Sequence, residues 1–95
     1  MKKQAVVINS KDNVATVVDD FPSNTIIHFF IGQSEHSIQL LEDITLGHKL
    51  AIQEIQPGQD ILKYAESIGV ATKLIRPGQH VHIHNMESQR GRKDK

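Results

Sequence analysis

Apolar residues in this chain come in short runs, rich in Val and Ile, which turn formers cut off within a few positions. Residues 4–8 carry Ala-Val-Val-Ile after a polar start, and residues 14–18 are again β-branched. Both suit strands, because branched side chains pack well on a pleated surface. Between them Ser10-Lys11-Asp12-Asn13 reads as a turn, where Asp and Asn bond nearby backbone, so the two runs predict a hairpin. Pro22 lies in the break at 19–24 and cannot donate to a ladder. Residues 25–31, Thr-Ile-Ile-His-Phe-Phe-Ile, are the most apolar stretch and predict a buried strand. A turn at 32–35 precedes a strand over 36–41, and a loop at 42–49 precedes the short apolar strand Leu50-Ala51-Ile52. Residues 61–64 predict another strand, and 65–71 one short helical segment, a poor one because Gly69 sits inside it. Residues 81–86 alternate as a strand does, and 87–95 read as a polar, basic tail beyond a single domain at 1–86.

One turn occurs twice. Ile55-Gln56-Pro57-Gly58-Gln59-Asp60-Ile61 and Ile75-Arg76-Pro77-Gly78-Gln79-His80-Val81 share the form Ile-x-Pro-Gly-Gln-x-apolar, with the prolines 20 residues apart (77 − 57). Proline pre-sets φ and glycine supplies positive φ, which makes a tight turn. Leu46-Gly47 is a looser third instance. The copies are either convenient turns between short strands or the mark of two matching ribbons folded over each other. In both cases the fold class is mainly β, with short strands.

The chain has 95 residues, enough for one domain with a modest core and too few for a large enclosed active site. A catalytic role therefore needs a second chain. Eleven basic and eleven acidic residues cancel, which gives no global attraction for nucleic acid or a membrane surface. No cysteine is present, so disulfides and thiolate metal sites are excluded. No apolar run has the ~20 residues of a membrane span, and the start lacks a signal-peptide pattern. The expectation is a soluble, cytoplasmic domain.

Six histidines stand out against one Tyr and no Trp. His80, His82 and His84 alternate, so on a strand they share one face while Val81 and Ile83 face the core. Such a face can take a divalent metal or a carboxylate, or be the polar side of a half-buried strand. On a straight strand the three would span roughly 13 Å, too far for one ion unless the strand bends. Gly47-His48-Lys49 offers a titratable group and a cation beside a glycine that admits close approach, and Lys63-Tyr64 offers an anion contact and a phenol. Each pair can equally be ordinary surface. His28 lies in an apolar run and reads as an interior histidine; His36 reads as exposed.

These residues fall in blocks that resemble a known family. Gly47-His48-Lys49-Leu50-Ala51, Ile55-x-x-Gly58, Lys63-Tyr64-x-x-x-Ile68-Gly69-x-Ala71 and Ile75-x-x-Gly78-x-x-Val81-His82-x-His84-Asn85 closely resemble the amino-terminal domain of the altronate/galactarate dehydratase family. Asp12-Asn13-Val14-Ala15 resembles its opening, so the likeness runs over residues 12–85. That domain is of the SAF type, a β-clip fold of short strands. The family usually has glycine after Lys-Tyr; Ala65 stands there in this chain, which predicts ordinary backbone at that point.

The resemblance implies the small subunit of a sugar-acid dehydratase, as in split altronate dehydratase or sulfolactate sulfo-lyase. Such a subunit works with a large catalytic partner and, as a further possibility, in a homo-oligomer. It implies a β-elimination on a hydroxy acid, with a divalent metal, iron(II) on the family expectation, at a site shared with the partner chain. His48, Lys49, Lys63 and Tyr64 are the expected catalytic residues, His82 and Asn85 the substrate contacts, and His48 and His84 the metal ligands. Lys49 and Lys63 would hold a carboxylate, Asn85 would orient a substrate hydroxyl, and the base would sit on the partner. A non-catalytic module that binds a sugar acid or other anion, and a purely structural β-clip domain, are the alternatives.

Overall fold

Short apolar runs separated by tight turns give short strands. The computed structural model describes residues 4–88. In chain order they form β1 (Ala5–Val6), β2 (Val14–Val17), β3 (Ile26–Ile31), β4 (Ser34–Gln39), β5 (Lys49–Ala51), β6 (Asp60–Lys63), β7 (Glu66–Ala71), β8 (His80–Val81) and β9 (Met86–Ser88). These make three small antiparallel sheets, ordered β1-β2-β5-β8, β3-β4 and β6-β7-β9. The fold is mainly β, as the sequence predicts, and no helix occurs among the described residues. None is therefore long and apolar enough to cross a membrane.

The first two runs pair as the expected hairpin, with Ala5 opposite Val17. Residues 26–31 form β3, paired with β4 over all six positions. Alternate residues of the central sheet feed two cores. Ala15, Val17 and Leu50 join Ile27, Phe29, Leu40 and Ile44 on one side. Val14 and Ala51 join Ile55, Ile61, Ala71, Ile75 and Val81 on the other.

The repeated turn sits at the centre of this design, in four forms among the described residues. Phe21 and Ile44 form an isolated antiparallel bridge, as do Ile55 and Ile75. One residue after each bridge begins a turn whose third residue has positive φ: Asn24 (73°), Gly47 (84°), Gly58 (87°) and Gly78 (94°). Each turn closes with an N–H to C=O bond, from Thr25 to Pro22 (3.3 Å), His48 to Thr45 (2.9 Å), Gln59 to Gln56 (3.0 Å) and Gln79 to Arg76 (3.0 Å). Each turn then brackets a buried residue four positions before a bridge. Gly58 and Gln59 bracket Ala71, Gly78 and Gln79 bracket Ala51, Gly47 and His48 bracket Val17, and Asn24 and Thr25 bracket Leu40. The chain thus contains two pairs of matching arms clasped over one another.

Several expectations are corrected. Residues 65–71 are not helical; Glu66–Ala71 is strand β7, because Tyr64 and Ala65 reverse the chain in a two-residue loop directly after β6. Ala65 is not in ordinary backbone; its φ is 64° and that of Tyr64 is 58°. Both amides are held by a buried carboxylate, with Tyr64 N–H donating to Asp12 Oδ2 (3.0 Å) and Ala65 N–H to Asp12 Oδ1 (2.7 Å). The alternating run at 81–86 is not one strand either. The chain turns between β8 and β9, and Ile83, expected in the core, is 80% exposed, whereas Val81 is buried as expected. Glu87 and Ser88, read as the start of the tail, pair with β7; residues 89–95 lie outside the described residues.

Candidate functional site

The antiparallel pairing of β5 with β8 sets Lys49 opposite Val81 and Leu50 opposite His80. His48, which closes the turn before β5, and His80, which begins β8, therefore meet. His48 Nδ1 lies 2.9 Å from His80 Nε2, one ring donating and the other accepting. The chain then folds back through residues 82–85. Asn85 N–H donates to His82 C=O (3.0 Å), His82 N–H donates to Asn85 Oδ1 (3.0 Å), and Asn85 Nδ2 donates to His80 C=O (2.9 Å). Asn85 is only 1% exposed. This turn supplies the bend that a straight strand lacks.

The result is a cluster of four imidazoles. Ring centroids are 4.9 Å apart for His48 and His82, 5.3 Å for His80 and His82, and 5.5 Å for His80 and His84. His48, His80 and His82 each offer a ligand nitrogen, all within 4.8 Å of one another, and so do Glu42, His80 and His84 with a carboxylate oxygen. His80 belongs to both groups. Glu42 is fixed beside it, because Glu42 Oε2 accepts the His80 N–H at 3.1 Å. Imidazole nitrogens with a carboxylate are the donor set that a divalent first-row ion takes, and modest side-chain rotation would bring them to ligand distance. The residues fit such an ion.

Electrostatics favours the neutral, ligating form. His80 is pushed below its ordinary 6.5 by burial first, then by His48, His82 and His84, with Glu42 partly opposing. His82 is lowered by desolvation, then by His48, Lys49 and His84. Lys49 is half-buried and is lowered from 10.5 by burial and then by Lys63. Lys49 thus interacts with His82 on one side and Lys63 on the other, linking the imidazoles to the β6–β7 tip. There the Lys63 ammonium lies 5.0 Å from the Tyr64 ring centroid, and Tyr64 is 56% exposed. Two ammonium groups held near each other, one desolvated, attract an anion.

The expected residues are thus largely brought together. His48 and His82 share one donor group with His80; His84 falls in the other. Lys49, Lys63 and Tyr64 extend the site towards the tip. Asn85, expected as a substrate contact, instead lies buried beneath the cluster with its carboxamide bonded to backbone on both sides. Sequence reasoning gave no role to Glu42, which is 38 residues from His80 and carries no local signal. Nor did it single out His80 as the shared member. His28, expected in the interior, is half-buried with Nδ1 3.9 Å from Glu35 Oε2, and exposed His36 stacks on Phe29; neither joins a donor group. Surface hollows of about 390 and 260 Å³ are lined by Asp20, Phe21 and Asp43 and by Asp12, Phe29 and His36, away from the cluster. The imidazoles sit on an open face, not in a closed pocket.

Comparison with known proteins agrees with this architecture. Residues 3–89 match the family model for the altronate/galactarate dehydratase SAF domain. The chain is 34% identical over 86 residues to altronate dehydratase of Bacillus subtilis (strain 168), covering 90% of this chain but 16% of that protein. It is 34% identical over 82 residues to altronate dehydratase of Escherichia coli (strain K12), again 16% of that protein's length. It is also 31% identical over 88 residues to (2R)-sulfolactate sulfo-lyase subunit alpha of Chromohalobacter salexigens, where it covers 94% of the relative. The chain therefore spans about one sixth of the dehydratases it matches and nearly all of a small lyase subunit. By its matched length, its clasped β-arms and its ordered motif blocks, the chain belongs to the altronate/galactarate dehydratase SAF domain family.

Proposed function

We propose that this chain is the small subunit of a sugar-acid dehydratase and completes, with a large partner, a site for removing water from a hydroxy acid. The observation that carries the reading is the open cluster of His48, His80 and His82 joined through Lys49 to Lys63. A face that gathers metal-ligating nitrogens and two cations, yet has no walls of its own, suits a pocket closed by a second polypeptide. Leu46 and Ile83 are 59% and 80% exposed beside His48 and His82, which gives that partner apolar contacts.

In the reaction the carbon next to the carboxylate loses a proton, a hydroxyl leaves the neighbouring carbon, and a C=C bond forms with release of water. A divalent ion, iron(II) on the family expectation, would supply positive charge to offset the charge that develops on the carboxylate. His80 would hold it, with His48 and His82 or with Glu42 and His84 completing the set. Lys49 and Lys63 grip the substrate carboxylate, and burial of Lys49 strengthens that contact by lowering the local dielectric. Tyr64 stands at the rim to bond a substrate hydroxyl. Asn85 acts through the turn it builds. The partner supplies the proton-abstracting base.

A second reading, the small subunit of a sulfolactate sulfo-lyase, is favoured by the 94% coverage of such a subunit. A non-catalytic SAF module that binds a sugar acid is the third. Co-expression with the large dehydratase chain, followed by assays on altronate, galactarate and sulfolactate, separates them. Wild-type turnover by His48→Ala in the reconstituted complex would remove the central assignment.

A further inference from the structure

We propose that Asp12 is a positioning residue for the Lys63–Tyr64 end of the site, holding the β6–β7 tip in a shape its own residues disfavour. The functional reading above supplies only what the tip is for; how the tip is held stands on the geometry alone. Asp12 is 4% exposed. Its Oδ2 accepts N–H groups from Asn9 (3.2 Å) and Tyr64 (3.0 Å), and its Oδ1 accepts that of Ala65 (2.7 Å). Asn13 grips the strand below the tip, with Oδ1 accepting Leu62 N–H (2.8 Å) and Nδ2 donating to Asp60 C=O (2.9 Å). Lys63 therefore lies between two anchored points.

The tip itself argues that this grip has a purpose. Tyr64 and Ala65 are consecutive non-glycine residues with φ of 58° and 64°. For L-residues each such conformation costs roughly 1–2 kcal/mol, and two-residue loops of this kind normally use Asn-Gly or Gly-Gly. A turn required only to reverse the chain would use those residues. Tyr64 is more than half exposed and joins neither core, so packing does not explain it either. Disfavoured backbone persists where surroundings over-determine it, and it gathers at binding sites. Here a carboxylate 52 residues away in sequence over-determines it. An acceptor-only group is needed, because all three partners are N–H donors.

The test exploits composition. Tyr64 is the single tyrosine in a chain without tryptophan, so intrinsic emission reports on the tip alone. In the full chain, Asp12→Asn turns an amide N–H group towards those donors. It should lower Tyr64 emission anisotropy, raise acrylamide quenching, and speed exchange of the Tyr64 and Ala65 amides about tenfold or more. The ring signals of His48 and His80 should stay in place. Glycine accepts positive φ freely, so Asp12→Asn with Ala65→Gly should recover most of each change. Altronate affinity of the complex with the large dehydratase chain, measured by calorimetry on the same variants, should fall severalfold and recover in parallel. A purely structural Asp12 predicts otherwise: a lower melting temperature, with Tyr64 emission and exchange unchanged in the folded protein and no rescue by Ala65→Gly. That result overturns the proposal. If the complex with the large dehydratase chain turns over none of altronate, galactarate and sulfolactate, the functional reading falls while the Tyr64 measurements still decide the role of Asp12.

Discussion

Replacing Asn85 by Ala tests whether the turn at 82–85 creates the imidazole cluster. The carboxamide is almost fully buried and bonds His82 N–H at 3.0 Å and His80 C=O at 2.9 Å. Alanine leaves both backbone groups without those partners. A buried polar group left unsatisfied costs about 1–3 kcal/mol, and these two bonds are only partly buried, so a total loss of about 2–4 kcal/mol is expected. In a domain of this size that corresponds to a fall in melting temperature of roughly 10–30 °C. The functional effect has a separate cause. Without the turn, 80–84 can relax towards the extended run its alternation favours, and His82 and His84 move away from His48 and Glu42. Loss of support behind metal ligands typically weakens binding about 10- to 100-fold. Zinc titration against a chromophoric chelator, at a temperature where the variant remains folded, measures this directly. Asn85→Asp keeps the acceptor for His82 but sets a carboxylate oxygen against the His80 carbonyl, so it should also be destabilised. If Asn85→Ala melts within a few degrees of wild type and binds zinc equally well, the turn is not what assembles the cluster.

Three further outcomes follow from the same geometry. Gly58 and Gly78 share positive φ, but a Cβ at Gly58 meets open space whereas one at Gly78 falls against the Gln39 carbonyl; Gly78→Ala should therefore lower the melting temperature clearly more than Gly58→Ala. His80 and His82 are held below 6.5 in the fold, so as pH drops through about 6.5 the unfolded chain takes up their protons first. Stability of the metal-free protein should decline below that pH and level off once the folded histidines protonate, and His80→Phe should flatten the decline in melts between pH 5 and 8. Lys49→Ala removes the desolvated cation, and calorimetry on the complex with the large dehydratase chain should then show altronate binding weakened about tenfold; unchanged affinity would place the carboxylate elsewhere.

Much of the fold is legible in the chain because β-branched runs and Pro-Gly turns are local signals. The twofold repeat at Pro57 and Pro77 is plain for that reason. Of its other two copies, the one at Gly47 shows only loosely, for want of a preceding proline, and the one at Asn24 is hidden, because asparagine serves the positive φ there. They share only spacing: Val17, Phe21, Asn24; Leu40, Ile44, Gly47; Ala51, Ile55, Gly58; Ala71, Ile75, Gly78 all step by four and then three. Gly69 counted only as a flaw in a helical segment at 65–71, yet it serves a strand at a close approach, since a Cβ there would strike the Glu87 carbonyl. For the site, alternation predicted one strand face with Ile83 in the core; the three histidines do gather, but through the turn at 82–85 and not along a strand. That bend depends on Asn85 bonding backbone locally, a use asparagine shares with many turns. Glu42 was beyond reach because only tertiary pairing brings it to His80.

The repeat also explains why the cluster forms at this turn and not at its copies. His48 occupies the closing position filled by Gln59 and Gln79 in the two Pro-Gly turns. Those glutamines fold back, Gln59 Oε1 accepting Gln56 N–H at 2.6 Å and Gln79 Oε1 accepting Arg76 N–H at 2.7 Å. Their side chains are spent on their own turns. The His48 turn lacks proline, and its free Leu46 N–H is taken from outside by Asp20 Oδ1 at 2.8 Å. In the partnered turn Asp43 Oδ1 does the same for Ser23 N–H. The side chain at 48 makes no such bond to its own turn; it points across to β8 and meets His80. His48→Gln would thus remove the ligand twice over, by replacing the imidazole and by offering a side chain that the same turn elsewhere folds back on itself.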